Sequence, residues 1–341
     1  MSGGIQYYLT TLLVLFGINV IAIWGLDLEF GTTGIFNFAY IVFQSVGAYT
    51  AAVLSLGPDT QYGGFQKYVG GVRLPFPLPL LGATAAGGVL AMVLGFLALR
   101  RLRGDYQAMV MLVISVIATG VATAQLNLVN GPTGLSLIPQ PLSNVLSLSG
   151  MGYQWFYVGL TAAVCLLAFC IARGITGSPF GRVLRAVRDS ESAAAALGRR
   201  VTRARMIVFM IGGCMAGLSG GLLVEFIGAW GPASWLYPET FLFFTAIIVG
   251  GTGNLAGNVL GALLVPIAFV EGTRFLPAIG YPGLIDSLDW VVIGLLLLAF
   301  LWFRPKGVLP ERRRVFAVAP SPARGRDHQD AALSTGDGAI S

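Results

Sequence analysis

The chain has 341 residues, of which 55% are hydrophobic and only 11% charged, with a mean hydropathy of +0.78. A soluble globular protein is excluded, because so much apolar surface needs lipid around it, and a polytopic membrane protein is implied. The net charge of +6 does not point to nucleic acid: residues 173–205 hold eight Arg against Asp189 and Glu191, so the basicity is local.

A spanning helix needs about 20 apolar residues. On that basis the first helix is predicted over 5–25; the run from Ile5 to Leu26 lacks the basic flank of a signal peptide. Residues 31–56 are apolar but interrupted by Gly and Thr, and their crossing number is left open. Further helices are expected near 78–99, 106–126, 154–172, 206–229 and 286–303. Between 239 and 270 the apolar run is broken by GGTGNLAGN, which reads as a hairpin or two short spans turning at Gly250 to Asn258. Gly-broken segments in two halves are the mark of discontinuous helices lining a transport path. The fold class is therefore all-α, a membrane helix bundle of roughly 8–10 spans. An inverted repeat is suggested by the echo of SVGAYTAAV from Ser45 in VLGALLVPI from Val259.

Orientation follows from arginine placement. Arg100, Arg101 and Arg103, the 173–205 segment, and Arg304 through Arg314 all read as cytoplasmic. Loops 57–77 and 127–153 are then external, and the 239–270 region must cross an even number of times. The N-terminus is outside if 31–56 crosses once and inside if it forms a hairpin. Residues 1–309 are expected to form the membrane domain, and 310–341, rich in Pro, Ser, Ala, Arg and Asp, a disordered cytoplasmic tail holding the single histidine, His328.

Several motifs are set aside. GTGNLA, Gly251 to Ala256, fits a dinucleotide fingerprint, but the apolar segment that follows puts it at membrane depth. GLSGG, Gly217 to Gly221, fits a nucleophile elbow, yet the only base of the right kind is His328 in the tail. Gly213, Gly217 and Gly221 read as one helix-packing strip, and Gly253, Gly257 and Gly261 as another, with Gly250 and Gly251 at the break. Neither Lys67 nor Lys306 follows the P-loop glycine pattern, so any driving ATPase is another chain. Cys165, Cys170 and Cys214 lie in apolar runs and read as packing residues, with no metal site and no catalytic acid/base pair. Glu225, Glu239 and Glu271 fall at predicted helix ends, where an interfacial role fits better than a proton relay.

The polar segment has its own local logic. Ser178 and Pro179 make an N-cap and first helical position, and Gly198 fits the position after the helix end. The intervening helix places Arg182, Arg185 and Arg188 on one side and Leu184, Val187, Glu191, Ala194 and Ala195 on another. Ser192 to Ala196 offers a shallow face to a partner, and Arg199, Arg200, Arg203 and Arg205 stand at the headgroup boundary. An interfacial helix lying on anionic lipid accounts for the same pattern, and physics alone leaves the two readings level.

The stretch ESAAAALG from Glu191 to Gly198 resembles the coupling loop of ABC importer permeases. The wider pattern GRVLRAVRDSESAAAALGRRVTRARMIVF with AGLSGGL is similar to the branched-chain amino acid permease family of the LivM type. RLRGDYQAMVMLV from Arg101, NGPTGLSLIP from Asn130 and IIVGGTGNLAGNVLGALLV from Ile247 extend the resemblance over most of the chain from about Gly31 to Pro310. It implies a multi-pass subunit of the bacterial inner membrane with no ATPase site and no cofactor of its own. Implied partners are a second homologous permease, two cytoplasmic ATPases, and a periplasmic or lipid-anchored binding protein delivering leucine, isoleucine or valine. Glu191, Ala194 and Gly198 would face the ATPase, flanked by Arg185 and Asp189. Where the family has a Ser-Leu-Glu entry before its last Gly-rich turn, this chain has Tyr237, Pro238, Glu239 and Thr240. Urea and short-amide permeases share much of the pattern, and a stand-alone secondary transporter is the reading from a different class.

Overall fold

The computed structural model describes residues 2–58, 65–102, 104–143, 150–273 and 284–311. Of the expected tail, only Pro310 and Glu311 fall within these; His328 and Arg312 to Arg314 lie outside them, as do Arg103 and the side chain of Glu271.

The long helices are α1 (Ser2–Thr33), α2 (Tyr40–Ser55), α3 (Leu78–Ala98), α4 (Gly104–Ala124) and α5 (Gly150–Gly177). The Arg-rich loop holds α6 (Pro179–Asp189) and α7 (Glu191–Ala196). The chain then continues through α8 (Val201–Ile227), α9 (Pro238–Gly250), α10 (Leu255–Ala262) and α11 (Leu284–Phe303). Among the described residues six helices are long and apolar enough to cross a membrane, and Tyr40–Ser55, Leu255–Phe269 and Leu288–Phe303 are shorter apolar helices. The protein is a multi-pass membrane protein.

Helix directions follow from which residues meet. Gly17 packs on Thr161, and the Trp24 ring lies 5.4 Å from that of Phe169, so α1 and α5 run parallel, both toward the Arg-rich loop. α2 runs the other way alongside α8: the Tyr40 hydroxyl donates to the Gly212 carbonyl at 3.3 Å, and Gly47 rests on Gly217. α3 is antiparallel to α8, with Gly87 on Gly213, Ala83 on Gly217 and Leu80 on Gly221. On the far side, bridges Tyr68 with Val129 and Leu135 with Trp230 gather the loops opposite the Arg-rich segment. Residues 31–56 therefore cross once, and the N-terminal end of α1 lies on the face opposite the Arg-rich loop.

Taken in order, α1 to α4 alternate toward and away from the Arg-rich side, and α8 to α11 repeat that order with every direction reversed. Each half also breaks before its second helix, at residues 34–39 and 228–237. The Gly-Ala echo does not follow this order: Ser45 lies on the second helix of its run and Val259 on the third. Small residues at a close approach recur wherever helices pack tightly, so a two-residue match does not fix equivalence.

The first helix extends past the predicted end at residue 25, to Thr33. The Thr32 and Thr33 hydroxyls donate to the Asp27 and Leu28 carbonyls at 3.2 and 3.0 Å, and Gly34, at φ +77°, closes the helix with a bond to the Phe30 carbonyl. The extension buries Asp27 and Glu29 inside the bundle. Asn37 donates to Glu29 at 2.8 Å and accepts from the Ala39 N–H at 3.1 Å, holding the break. The two shortened helices begin against each other, where the Ile41 N–H donates to Thr240 Oγ1 at 3.2 Å.

The 239–270 region forms the expected hairpin, turning at 251–254. Asn254 caps α10 by accepting from the Ala256 N–H at 3.1 Å. Beyond Ala262 the helix widens into a π segment, Leu263–Phe269, around Pro266, whose missing N–H removes a helical bond.

Candidate coupling surface

Ser178 caps α6 as expected: its hydroxyl accepts from the Gly181 N–H at 3.2 Å and donates to the Ile175 carbonyl at 2.7 Å. The single helix predicted up to Gly198 is instead two. Ser190 is extended at φ −161°, and its hydroxyl accepts from the Ala193 N–H at 3.3 Å, starting a second helix. A serine that can satisfy a free N–H competes with helix continuation, which is the physical reason for the break. Gly198 follows the end of α7 at φ +75°, with open space around it.

Leu184 and Val187 are buried beneath α6, and Ala194 beneath α7, while Ala195 is exposed. Between the two helices lies an open groove of about 480 Å³, walled by Pro179, Phe180, Val183, Ala186, Ala194 and Leu197 and rimmed by Arg182 and Arg199. Leu197, on its edge, is 82% exposed. An apolar groove with cationic rims on a polar loop outside the apolar spans can accept a helix or an aromatic side chain of a partner.

The residues the sequence singled out are distributed unequally around this groove. Arg185 turns inward, donating to the Thr176 carbonyl at 3.2 Å and lying 3.8 Å from Glu311. Asp189 is mostly exposed beside Arg188. Glu191 is held at 2.5 Å by Arg205. Arg205 does not stand at the headgroup boundary: its side chain is 6% exposed and also donates to Gln107 of α4 at 2.8 Å. That follows from α8 starting at Val201, five residues earlier than expected, which rotates Arg205 into the bundle.

The glycines lie elsewhere. Gly213, Gly217 and Gly221 face α3, and Gly217 is also covered by Gly47 of α2. Gly250 and Gly257 bring α9 and α10 into backbone contact, and Gly261 lies on the Ala246 carbonyl. Gly253 is not part of a strip on α10: at φ +74° it sits in the preceding turn, against Arg188 and Glu311. Gly251, at φ +123°, packs on Leu309 and Lys306. Glu225 is buried in the last turns of α8, and Glu239 is half-buried at the start of α9.

Three anchoring residues escaped the sequence reading. Gln107 lies within the RLRGDYQAMVMLV match, which assigns it no role, and Glu311 has no motif around it; only their distance from Arg205 and Arg188 identifies them. Asp27 was legible in principle, since an acid at the end of an apolar run marks a functional or structural contact.

The match to known families falls on this same framework. Residues 8–301 match the family model described as branched-chain amino acid transport system / permease component. The chain belongs to that family. It is similar to the probable branched-chain amino acid transport permease protein LivM of Methanocaldococcus jannaschii, at 28% identity over 89% of this chain and 94% of the relative. The high-affinity permease protein LivM of Salmonella typhimurium is 29% identical over 88% of this chain and 70% of its own. LivH of Methanocaldococcus jannaschii is 26% identical over 90% and 91%. No solved structure matches the chain. The family match spans α1 through most of α11, so it includes the two-helix loop, both breaks and the hairpin.

Proposed function

We propose that this chain is the transmembrane permease subunit of an ATP-driven ABC importer for branched-chain, hydrophobic amino acids. Separate cytoplasmic ATPases couple to it through residues 178–198. The observation that carries the reading is the α6–α7 groove with Leu197 exposed at its edge, on the Arg-rich face of a permease-family bundle.

Residues 1–309 form the permease domain in this reading, with the cytoplasmic tail beginning at 310. The subunit sits in a bacterial inner membrane, has no ATPase site and binds no cofactor; ATP is hydrolysed by partner subunits. A second homologous permease completes the path, and an external binding protein delivers the solute. Glu191, Ala194 and Gly198, with Arg185 and Asp189 beside them, shape the surface that the ATPase grips. Gly213, Gly217 and Gly221 on α8, and the glycines from Gly250 to Gly261, let the helices around the path slide at backbone contact. ATP-driven closure of the ATPase pair displaces α6 and α7, and the two inverted halves rock about the start of α2 and α9.

Uptake of labelled leucine and labelled urea, in the source organism with the gene deleted and then restored, tests the solute. Restorable loss of leucine uptake alone is expected. Loss of urea uptake alone moves the assignment to the short-amide branch, and retention of transport without any co-purifying ATPase makes the chain a stand-alone carrier.

A further inference from the structure

Besides the apolar contacts of Leu184, Val187 and Ala194 and the Glu191–Arg205 pair, the loop that carries the groove reaches the bundle through a polar junction. Arg188, in the last turn of α6, donates through Nη1 to the Gly31 carbonyl near the end of α1. Its Nη2 lies 3.0 Å from Glu311 Oε2, and Arg185 Nη1 lies 3.8 Å from Glu311 Oε1. Both Arg188 and Glu311 side chains are only about one-fifth exposed.

Glu311 is not free to follow Arg188 by itself. The segment before it is bonded to the α9–α10 hairpin: the Val308 and Leu309 N–H groups donate to the Val249 and Gly250 carbonyls at 2.8 and 3.0 Å. Asn254 in the turn donates to the Leu309 carbonyl at 3.0 Å. Gly253 in the same turn packs against both Arg188 and Glu311, and its N–H donates to Asp27 of α1 at 2.9 Å. One guanidinium therefore spans the loop helix, the end of α1 and a strap fixed to the hairpin. A planar guanidinium bonds in fixed directions, so tilting α6 must either carry these groups along or break the bonds.

We propose that Arg188 and Glu311 are positioning residues for transport: they convert displacement of α6 into displacement of the α9–α10 hairpin. The inference rests on α6 and α7 being the ATPase-docking surface. It goes further by naming the route along which that motion reaches the discontinuous helices. α7 has a separate anchor, through Glu191 to Arg205, so the ATPase can dock while the Arg188 route is cut.

The test uses the full transporter, with both permeases and both ATPases, reconstituted in liposomes with its loaded binding protein. ATPase co-purification and solute uptake per ATP hydrolysed are read for the unsubstituted chain, Glu311→Gln, and Glu311→Asp, which keeps the carboxylate facing Arg188 and Arg185. Glu311→Gln is expected to keep ATPase association within twofold and to lower uptake per ATP at least fivefold, and Glu311→Asp to retain at least half of the unsubstituted value. Uptake per ATP within twofold of the unsubstituted chain in Glu311→Gln overturns the proposal while leaving the docking reading intact. If Glu311→Gln also weakens assembly, Glu311→Asp decides: recovery of both quantities supports the route, and recovery of assembly alone overturns it. Failure of the unsubstituted chain to hold any ATPase overturns the docking reading, and this inference with it.

Discussion

Arg205 on α8 holds Glu191, the first residue of α7, at 2.5 Å, and it does so from a position almost sealed from solvent. The glutamate is 56% exposed, so the pair is not a fully buried one, and its strength comes from the arginine's fixed orientation against Gln107.

Replacing Glu191 by Gln exchanges a charge-assisted bond for a neutral one, and with Glu191 56% exposed the loss of α7 docking is about 0.5–1 kcal/mol. Cleavage by trypsin at the exposed Arg199 and Arg200 in inverted membrane vesicles is expected to accelerate by roughly 2–5-fold, the factor such an energy carries. An unchanged cleavage rate means the pair does not hold α7 in place.

Leu197 is exposed at the groove edge, and Gly198 has left-handed φ with nothing close by. Leu197→Asp is expected to leave stability within about 0.5 kcal/mol, as exposed substitutions do, and to reduce ATPase co-purification at least tenfold. Gly198→Val pays about 1–2 kcal/mol for the left-handed backbone and is expected to reduce co-purification too, whereas Gly198→Asn, which tolerates that φ, stays near normal. Retained association in both Leu197→Asp and Gly198→Val removes the docking surface.

Gly217 is packed between α2 and α3, whereas Gly120 on α4 has open space. Overpacking costs about 1–3 kcal/mol and more when backbone is in the way. Gly217→Val is expected to lower the detergent unfolding temperature or abolish folded yield, with Gly120→Val close to the unsubstituted chain. Equal effects at the two sites would mean that the α8 strip does not set helix spacing.

Gly4, near the start of α1, is exposed and touches nothing within 4 Å. In a Gly4→Cys variant with Cys165, Cys170 and Cys214 replaced by Ala, a membrane-impermeant maleimide is expected to label the outer face of intact cells. Labelling only after the inner membrane is opened would reverse the orientation of α1.

The sequence by itself determined the membrane class, most of the spans, the Arg-rich loop with its Ser178 cap and Gly198 stop, and the turn between α9 and α10. Those features rest on local physics: run length against bilayer thickness, capping groups, and glycine where φ is positive. Only the tertiary structure decided that 31–56 crosses once, because the break at 34–39 is held by Asn37 bonding to Glu29 and by Tyr40 reaching α1 and α8, contacts no periodicity encodes. It alone turned Arg205 inward and set Glu311, a residue read as tail, against Arg188. An ion pair between residues 123 positions apart leaves no local signature, since each partner looks like an ordinary polar residue until the helices place them together.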